Sequence, residues 1–83
     1  MHRVSASLRC THGRDGAVAL DVEQGKIYSV NVVGSRILEL LQGGIDEEGI
    51  VDNISREFAV NRDIARADVR VFVQQLLEMK LIE

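Results

Sequence analysis

The chain contains no proline, no tryptophan and only one cysteine, Cys10. A lone cysteine cannot form a disulfide within the chain, which fits a protein of the reducing cytoplasm. No uncharged apolar run approaches the roughly 20 residues of a membrane-spanning helix, and the first residues lack the apolar stretch of a secretion signal. The sequence therefore predicts a cytoplasmic protein that does not enter a membrane.

Length, composition and charge narrow the class of protein further. Eighty-three residues suffice for one domain with one small core, so residues 1–83 are interpreted as a single domain. The apolar share of 46% and the charged share of 28% argue against disorder. A net charge of -3 argues weakly against a dedicated nucleic-acid-binding protein.

The first 31 residues show the two-residue alternation of side chains that is typical of β-strands. It predicts a first strand over residues 3–10 and a turn at residues 12–16 (HGRDG), because Asp-Gly readily adopts positive φ. A second strand follows, in which Val18, Leu20 and Val22 point one way, and residues 17, 19 and 21 the other. After a turn at Gln24-Gly25, Lys26–Val30 forms a third strand, and the simplest arrangement is an antiparallel meander.

The rest of the chain has the apolar spacing of helices. The first helix is predicted from about Val32 to Gln42, with Asn31 as a candidate cap, and ends at Gly43-Gly44. Asp46 is a candidate cap for a second helix, and Asn61 for a third helix that reaches about Lys80. The fold class is therefore α+β, a winged-helix-like arrangement in which a three-stranded sheet precedes three helices.

Two features of this arrangement indicate a binding surface. The third strand has no later strand to pair with, so its open edge could accept an extended peptide, or a second copy of the chain as a homodimer. The third helix carries a second apolar strip of Ile64, Ala67 and Val71. It lies beside a core stripe that consists of Ala65, Val69, Phe72, Val73 and Leu76. That strip is interpreted with equal weight as a wide part of the core or as a ligand face.

The sequence provides no set of catalytic residues, so an enzyme is not expected, and no cofactor or metal is predicted. Cys10 and His12 could share one face of a strand, but a metal site needs about four ligands, and a buried thiol beside a turn histidine is favoured. The acids at residues 46–48 are explained by a helix N-terminus. Arg62, Arg66 and Arg70 form a basic stripe on the third helix, for which a solvated face is favoured over an acidic-peptide or DNA contact.

Several short motifs, in this order and at this spacing, resemble the PqqD-like family, whose members are known as RiPP recognition elements. The resemblance covers roughly residues 14–82. It rests on Leu20-Asp21, Gly25-Lys26, Tyr28 with Asn31, Gly34 with Ile37, Asp68-Val69 and the closing Leu-Ile.

The resemblance implies that the chain binds the leader segment of a ribosomally made precursor peptide. In this family the leader adds as a strand to the third strand, in a groove against the third helix. The implied peptide-binding residues here are Lys26, Ile27, Tyr28, Ser29, Val30, Ile64, Ala67, Asp68, Val71 and Gln75. The partners would be the precursor and a leader peptidase or other maturation enzyme, without nucleic acid or membrane, and the chain would be a monomer or weak homodimer.

The absence of proline bears on the subfamily. PqqD proper usually carries a Leu-Leu-x-Pro-Glu-like stretch near its first strands, so the free-standing recognition proteins of lasso-peptide pathways resemble this chain more closely. Two alternatives stay open from the sequence. One is a PqqD-type peptide chaperone in pyrroloquinoline quinone synthesis with a radical-SAM partner, and the other is a winged-helix DNA-binding protein.

Overall fold

In the computed structural model, which describes residues 2–83, three strands precede three helices. Strands β1 (Leu8–Gly13), β2 (Gly16–Asp21) and β3 (Lys26–Val30) form one antiparallel sheet in the order β1-β2-β3. The predicted meander is therefore confirmed, and β2 is its central strand.

The bounds predicted for the first strand are wrong. Strand β1 begins at Leu8 and runs through Gly13, into residues that the sequence assigned to a turn. Val4 instead forms an isolated antiparallel bridge with Ile82 near the other end of the chain. Alternation shows that a segment is extended, but it does not show which segment it pairs with.

The helices are α1 (Val32–Gln42), α2 (Glu47–Glu57) and α3 (Arg62–Glu78). Their predicted caps are confirmed: the side-chain oxygens of Asn31, Asp46 and Asn61 accept hydrogen bonds of 2.7–2.8 Å from backbone N–H groups of the first turns. Helix α3 ends two residues before the predicted end. The α+β, winged-helix-like fold class is confirmed.

The turn after α3 returns the chain to the core. Lys80 adopts a positive φ of 61°, and the N–H groups of Lys80 and Leu81 donate to the carbonyl oxygens of Leu77 and Leu76. This pair of hydrogen bonds is the Schellman arrangement, usually built on glycine. It directs Leu81 into the core, where the side chain is 1% exposed.

The inner face of β2 consists of small side chains. Ala17 and Ala19 are buried there, whereas the larger Val18 and Leu20 point outward. Helix α1 packs against this strand, and its Ile37 is almost completely buried. The sequence left open which side of β2 faces the core, and the structure assigns the alanine side.

We predict different stability losses for two glycines with positive φ. Gly16 has a φ of 128°, and an added Cβ would overlap the carbonyl oxygen of Val30, whereas Gly25, at 69°, has open space around it. Gly25→Ala should cost about 1–2 kcal/mol of unfolding free energy, the usual penalty of left-handed backbone. Gly16→Ala should cost more, because the end of β3 must also move; urea midpoints of the two variants test this, and equal losses would contradict it.

Candidate peptide-binding site

Strand β3 is an outer strand of the sheet. One side of it pairs with β2, from Ala17 opposite Val30 to Asp21 opposite Lys26. No strand within residues 2–83 pairs with its other side. The backbone groups on that side are therefore available to an added strand, as the sequence predicts.

Helix α3 lies beside this free edge and closes one wall of a groove. The groove has a volume of about 410 Å³, and it follows a strand of five residues, which spans roughly 17 Å. The lining residues come from β2, β3, the start and middle of α1, α3 and the segment after it: Ala19, Ile27, Tyr28, Ser29, Val30, Asn31, Leu38, Phe72, Gln75, Leu76, Met79 and Leu81.

The position of Phe72 is set by a glycine on α1. A Cβ added to Gly34 would lie 2.7 Å from Cε1 of Phe72 and 2.8 Å from Cγ1 of Val30. Both distances are too short for real carbon contacts, so only glycine leaves room for the ring and the valine together. Gly34 thus allows α3 to approach the end of β3 and defines that end of the groove.

The groove contains no charged lining residue, and its polar side chains are those of Tyr28, Ser29, Asn31 and Gln75. The Asn31 oxygen is already engaged as the cap of α1, at 2.7 Å from the Gly34 nitrogen. A ligand here would be held by backbone hydrogen bonds and apolar contacts. Neither kind of contact depends strongly on salt.

The turn that leads into β3 is anchored by the carboxylate of Asp21. Its Oδ1 accepts hydrogen bonds from the N–H groups of Gln24 and Glu23, at 3.1 and 3.0 Å, and from the Ser7 hydroxyl at 3.2 Å. The Gln24 side chain donates to Oδ2 at 2.7 Å. The backbone hydrogen bond from Gln24, ahead of the others, holds the pKa of Asp21 below its usual value, against the opposing effect of burial.

The ten residues predicted for the site fall into three sets. Five line the groove or extend from it along the edge of β3: Ile27, Tyr28, Ser29 and Val30, with Gln75 facing them from α3. Lys26 begins β3 and is exposed. Ile64, Ala67, Asp68 and Val71 are exposed on α3 but do not line the groove.

These exposed residues continue the groove wall toward the start of α3. Ile64, Asp68, Val71 and Gln75 are four, three and four residues apart, so they lie along one side of the helix. Ile64 and Val71 rank among the most exposed large apolar side chains of the chain. The interpretation as a wide part of the core does not fit this exposure, since neither side chain reaches the core.

Seven of the lining residues were not predicted as site residues, and three of them, Phe72, Leu76 and Met79, belong to α3 or its C-cap. Phe72 and Leu76 were assigned to the core stripe of α3, while Met79 was not assigned to any surface. Phe72 and Met79 are only partly buried, although both pack against the core. Periodicity divides residues into core and surface. It therefore gives no signal for a side chain that packs against the core and also lines a groove.

A larger groove of about 550 Å³ lies on another side of α3, between that helix and the loop joining α1 to α2. Leu41, Ile45, Val73 and Leu77 contribute its apolar part, and Glu47, Glu48 and Arg70 are among its charged residues. It borders no free strand edge. Its size alone therefore does not make it the better candidate for an extended peptide.

The arginine stripe of α3 is occupied by ion pairs to α2. The three arginines approach acidic side chains on the first two turns of that helix, at distances between 2.7 and 3.0 Å. The pairs are Arg62–Asp52, Arg66–Glu48 and Arg70–Glu47. Such exposed pairs contribute about 0–1 kcal/mol each, and they neutralise the cations that a DNA contact would need.

His12 is held by two residues of α1, and Cys10 lies near it in β1. His12 contacts the Ser35 hydroxyl at 2.8 Å and the Gln42 side chain at 3.2 Å, which ties β1 to α1. Burial raises the pKa of the Cys10 thiol. His12 lies in β1 rather than in the predicted turn. Within residues 2–83, no group of three His, Cys, Asp or Glu side chains is placed to hold a metal ion.

In the described part of the chain, no helix has the length and apolar character needed to cross a membrane.

The family profile described as Coenzyme PQQ synthesis protein D (PqqD) matches residues 16–82. The chain therefore belongs to the PqqD family, and the resemblance seen in the sequence is confirmed. The comparison with curated proteins found no match.

Two solved structures share the fold. One, "TbiB1 in Complex with the TbiA(beta) Leader Peptide", is 34% identical in sequence, with a TM-score of 0.90 over 98% of this chain and 94% of that chain. The other, "Lasso peptide synthetase B1 complexed with the leader peptide", is 22% identical, with a TM-score of 0.87 over 99% of this chain and 96% of that chain. At that lower identity the second likeness supports the fold alone.

The lowered pKa of Asp21 predicts a dependence of stability on pH. Because the folded pKa lies below the unfolded value of about 3.9, the carboxylate stabilises the fold above that pH. This contribution is lost as the pH falls through the folded pKa. Asp21→Asn should therefore reduce stability at pH 7, and the difference from the original chain should shrink below about pH 4.

Urea unfolding between pH 7 and pH 2 measures this difference. Asp15→Asn serves as the control, because Asp15 is exposed in the turn between β1 and β2. A difference for Asp21→Asn that stays constant across this range would show that the lowered pKa does not contribute to folding.

Proposed function

We propose that this chain binds the leader segment of a ribosomally synthesised precursor peptide as an additional strand on β3. The observation that carries this proposal is the groove between the unpaired edge of β3 and the apolar flank of α3. It is supported by the relative at 34% identity, TbiB1, whose structure was solved with a leader peptide.

The backbone of Lys26, Ile27, Tyr28, Ser29 and Val30 would pair with the leader. In an antiparallel strand, every second residue turns both its N–H and its C=O group to the same side. Each residue whose groups face the free edge can therefore form up to two hydrogen bonds with the leader. A backbone hydrogen bond adds about 0.5–1.5 kcal/mol net. Pairing alone would thus give affinity with little preference for sequence.

Side chains of α3 would supply the selectivity. Alternate leader residues would point into the groove toward Phe72, Leu76 and Met79, where only apolar side chains of suitable size would fit. Toward the start of the helix the leader would meet the exposed flank. The α3 residues that we assign to peptide binding there are Ile64, Ala67, Asp68, Val71 and Gln75.

We infer that the chain is a binding protein of the cytoplasm that leaves catalysis to a leader peptidase or another maturation enzyme. The lasso-peptide class is supported by the absence of proline. The binding form would be a monomer, because a homodimer paired through β3 would cover the edge that the leader needs.

A titration with a synthetic leader peptide from the cognate precursor should locate the added strand. The largest changes in backbone amide chemical shift should fall at Lys26–Val30 and along α3 from Ile64 to its C-cap Met79, since these segments would contact the peptide. Affinity should change little between about 50 and 300 mM salt, because no charged residue lines the groove and only Lys26 and Asp68 of the proposed site residues are charged. Changes confined to β1 would contradict this placement.

Charge substitutions on the flank of α3 test the side-chain contacts. Val71→Glu and Ile64→Glu should each weaken leader binding by about tenfold, which corresponds to about 1.4 kcal/mol, because a carboxylate would replace an apolar contact. Both side chains are exposed, so the domain should remain folded. Fluorescence polarisation with a labelled leader measures the affinity, and circular dichroism monitors the fold.

Val18→Glu is the matched control. Val18 is 51% exposed and Val71 is 60% exposed, but Val18 lies on the outer side of the sheet. The control should bind the leader as the original chain does. Equal affinity for all three variants would place the peptide away from this flank.

A further inference from the structure

The outer side of the sheet, opposite the helices, carries large apolar side chains. Directly paired residues lie on the same face of an antiparallel sheet, so this side consists of two rows that cross all three strands. The rows are Arg9–Leu20–Ile27 and Thr11–Val18–Ser29. We call these six residues the outer face.

On the central strand β2, the outer face reverses the usual pattern of a one-sided sheet. Such sheets place apolar residues toward the core and polar residues toward water. Here Ala19 is 1% exposed on the inner side, while Ile27 is 71% exposed and Val18 is 51% exposed on the outer side. The larger side chains of β2, Val18 and Leu20, thus remain in water together with Ile27 of β3, which is typical of a binding surface.

Charge on the outer face disfavours a second copy of the chain as its occupant. Arg9 carries the formal charge of the two rows, and Thr11 and Ser29 are neutral. Two such faces stacked on each other would bring like charges together with no acid to pair them. The complementary surface is an apolar patch next to a carboxylate on a different protein.

The outer face also continues into the peptide site. Ile27 both lines the groove and belongs to the row that begins at Arg9. A strand added to β3 would extend both rows by one residue each, because its side chains also alternate between the two faces. The outward side chains of a bound leader would therefore lie next to Ile27 and Ser29.

We propose that the outer face binds the maturation enzyme that acts on the leader, through an apolar patch and a carboxylate of that enzyme. This inference rests on the proposed function. The enzyme contacts Leu20 and Val18 together with the outward side chains of the bound leader, and its carboxylate pairs with Arg9. It thereby recognises the loaded chain in preference to either the free chain or the free precursor.

The test uses the purified leader peptidase of the same pathway, the full precursor and the full chain. Leader affinity is measured by fluorescence polarisation, and leader cleavage is measured as a function of the concentration of this chain. Leu20→Glu should bind the leader within about twofold of the original chain. The concentration of the Leu20→Glu variant that gives half-maximal cleavage should be at least about tenfold higher than that of the original chain, because the substitution places a charge in an apolar contact. Val18→Glu should behave in the same way. Arg9→Glu should also impair leader cleavage, whereas Arg9→Lys, which keeps the positive charge, should not.

Ile45→Glu is the matched control, since Ile45 and Leu20 are both 36% exposed and Ile45 lies in the larger groove of α3. It should support normal cleavage. Loss of cleavage with Ile45→Glu but not with Leu20→Glu would place the enzyme on that groove and overturn the inference. Sedimentation of the original chain as a dimer that Leu20→Glu dissociates would also overturn it, because the face would then bind a second copy.

The two levels of the proposal fail in different ways. If Leu20→Glu and Val18→Glu bind the leader and support normal cleavage, the inference about the outer face is wrong and the proposed function stands. If the original chain does not bind the leader in the polarisation assay, the proposed function is wrong, and this inference is overturned with it.

Discussion

The close approach of α1 to the sheet determines where the groove lies. It is made possible by the small inner side chains of β2, Ala17 and Ala19, and by Gly34 on the helix, where no Cβ separates Phe72 from Val30. Larger residues at these positions would move α1 outward. Helix α3 would then lose its contact with the end of β3, and the free strand edge would face water without an apolar wall beside it.

Much of the fold could be predicted because its signals are local. Caps at Asn31, Asp46 and Asn61 mark the helix starts, and each acts on N–H groups two or three residues away. The open edge of β3 follows from chain order, since only helices come after it. The β3 half of the candidate site was therefore available from the sequence before any contact was known.

Most of the features that sequence reasoning missed are non-local. Val4 pairs with Ile82, on a segment 78 positions further along the chain, and alternation within residues 3–10 contains no trace of that partner. The arginines of α3 pair with acids of α2, which depends on the angle between the two helices. Phe72 divides its surface between core and groove, and that division depends on the absence of a Cβ at Gly34.

The sheet can expose both an edge and an apolar face because stability is supplied elsewhere. The fully buried large side chains belong mainly to the helices and to the segment after α3, including Ile37, Ile50, Ile54 and Leu81. The pairing of residues 3–5 with residues 81–83 joins the two ends of the described chain. Since β2 contributes only Gly16, two alanines and Asp21 to the interior, its outward residues are free of core packing. They can be selected for contact with another protein at little cost to the fold.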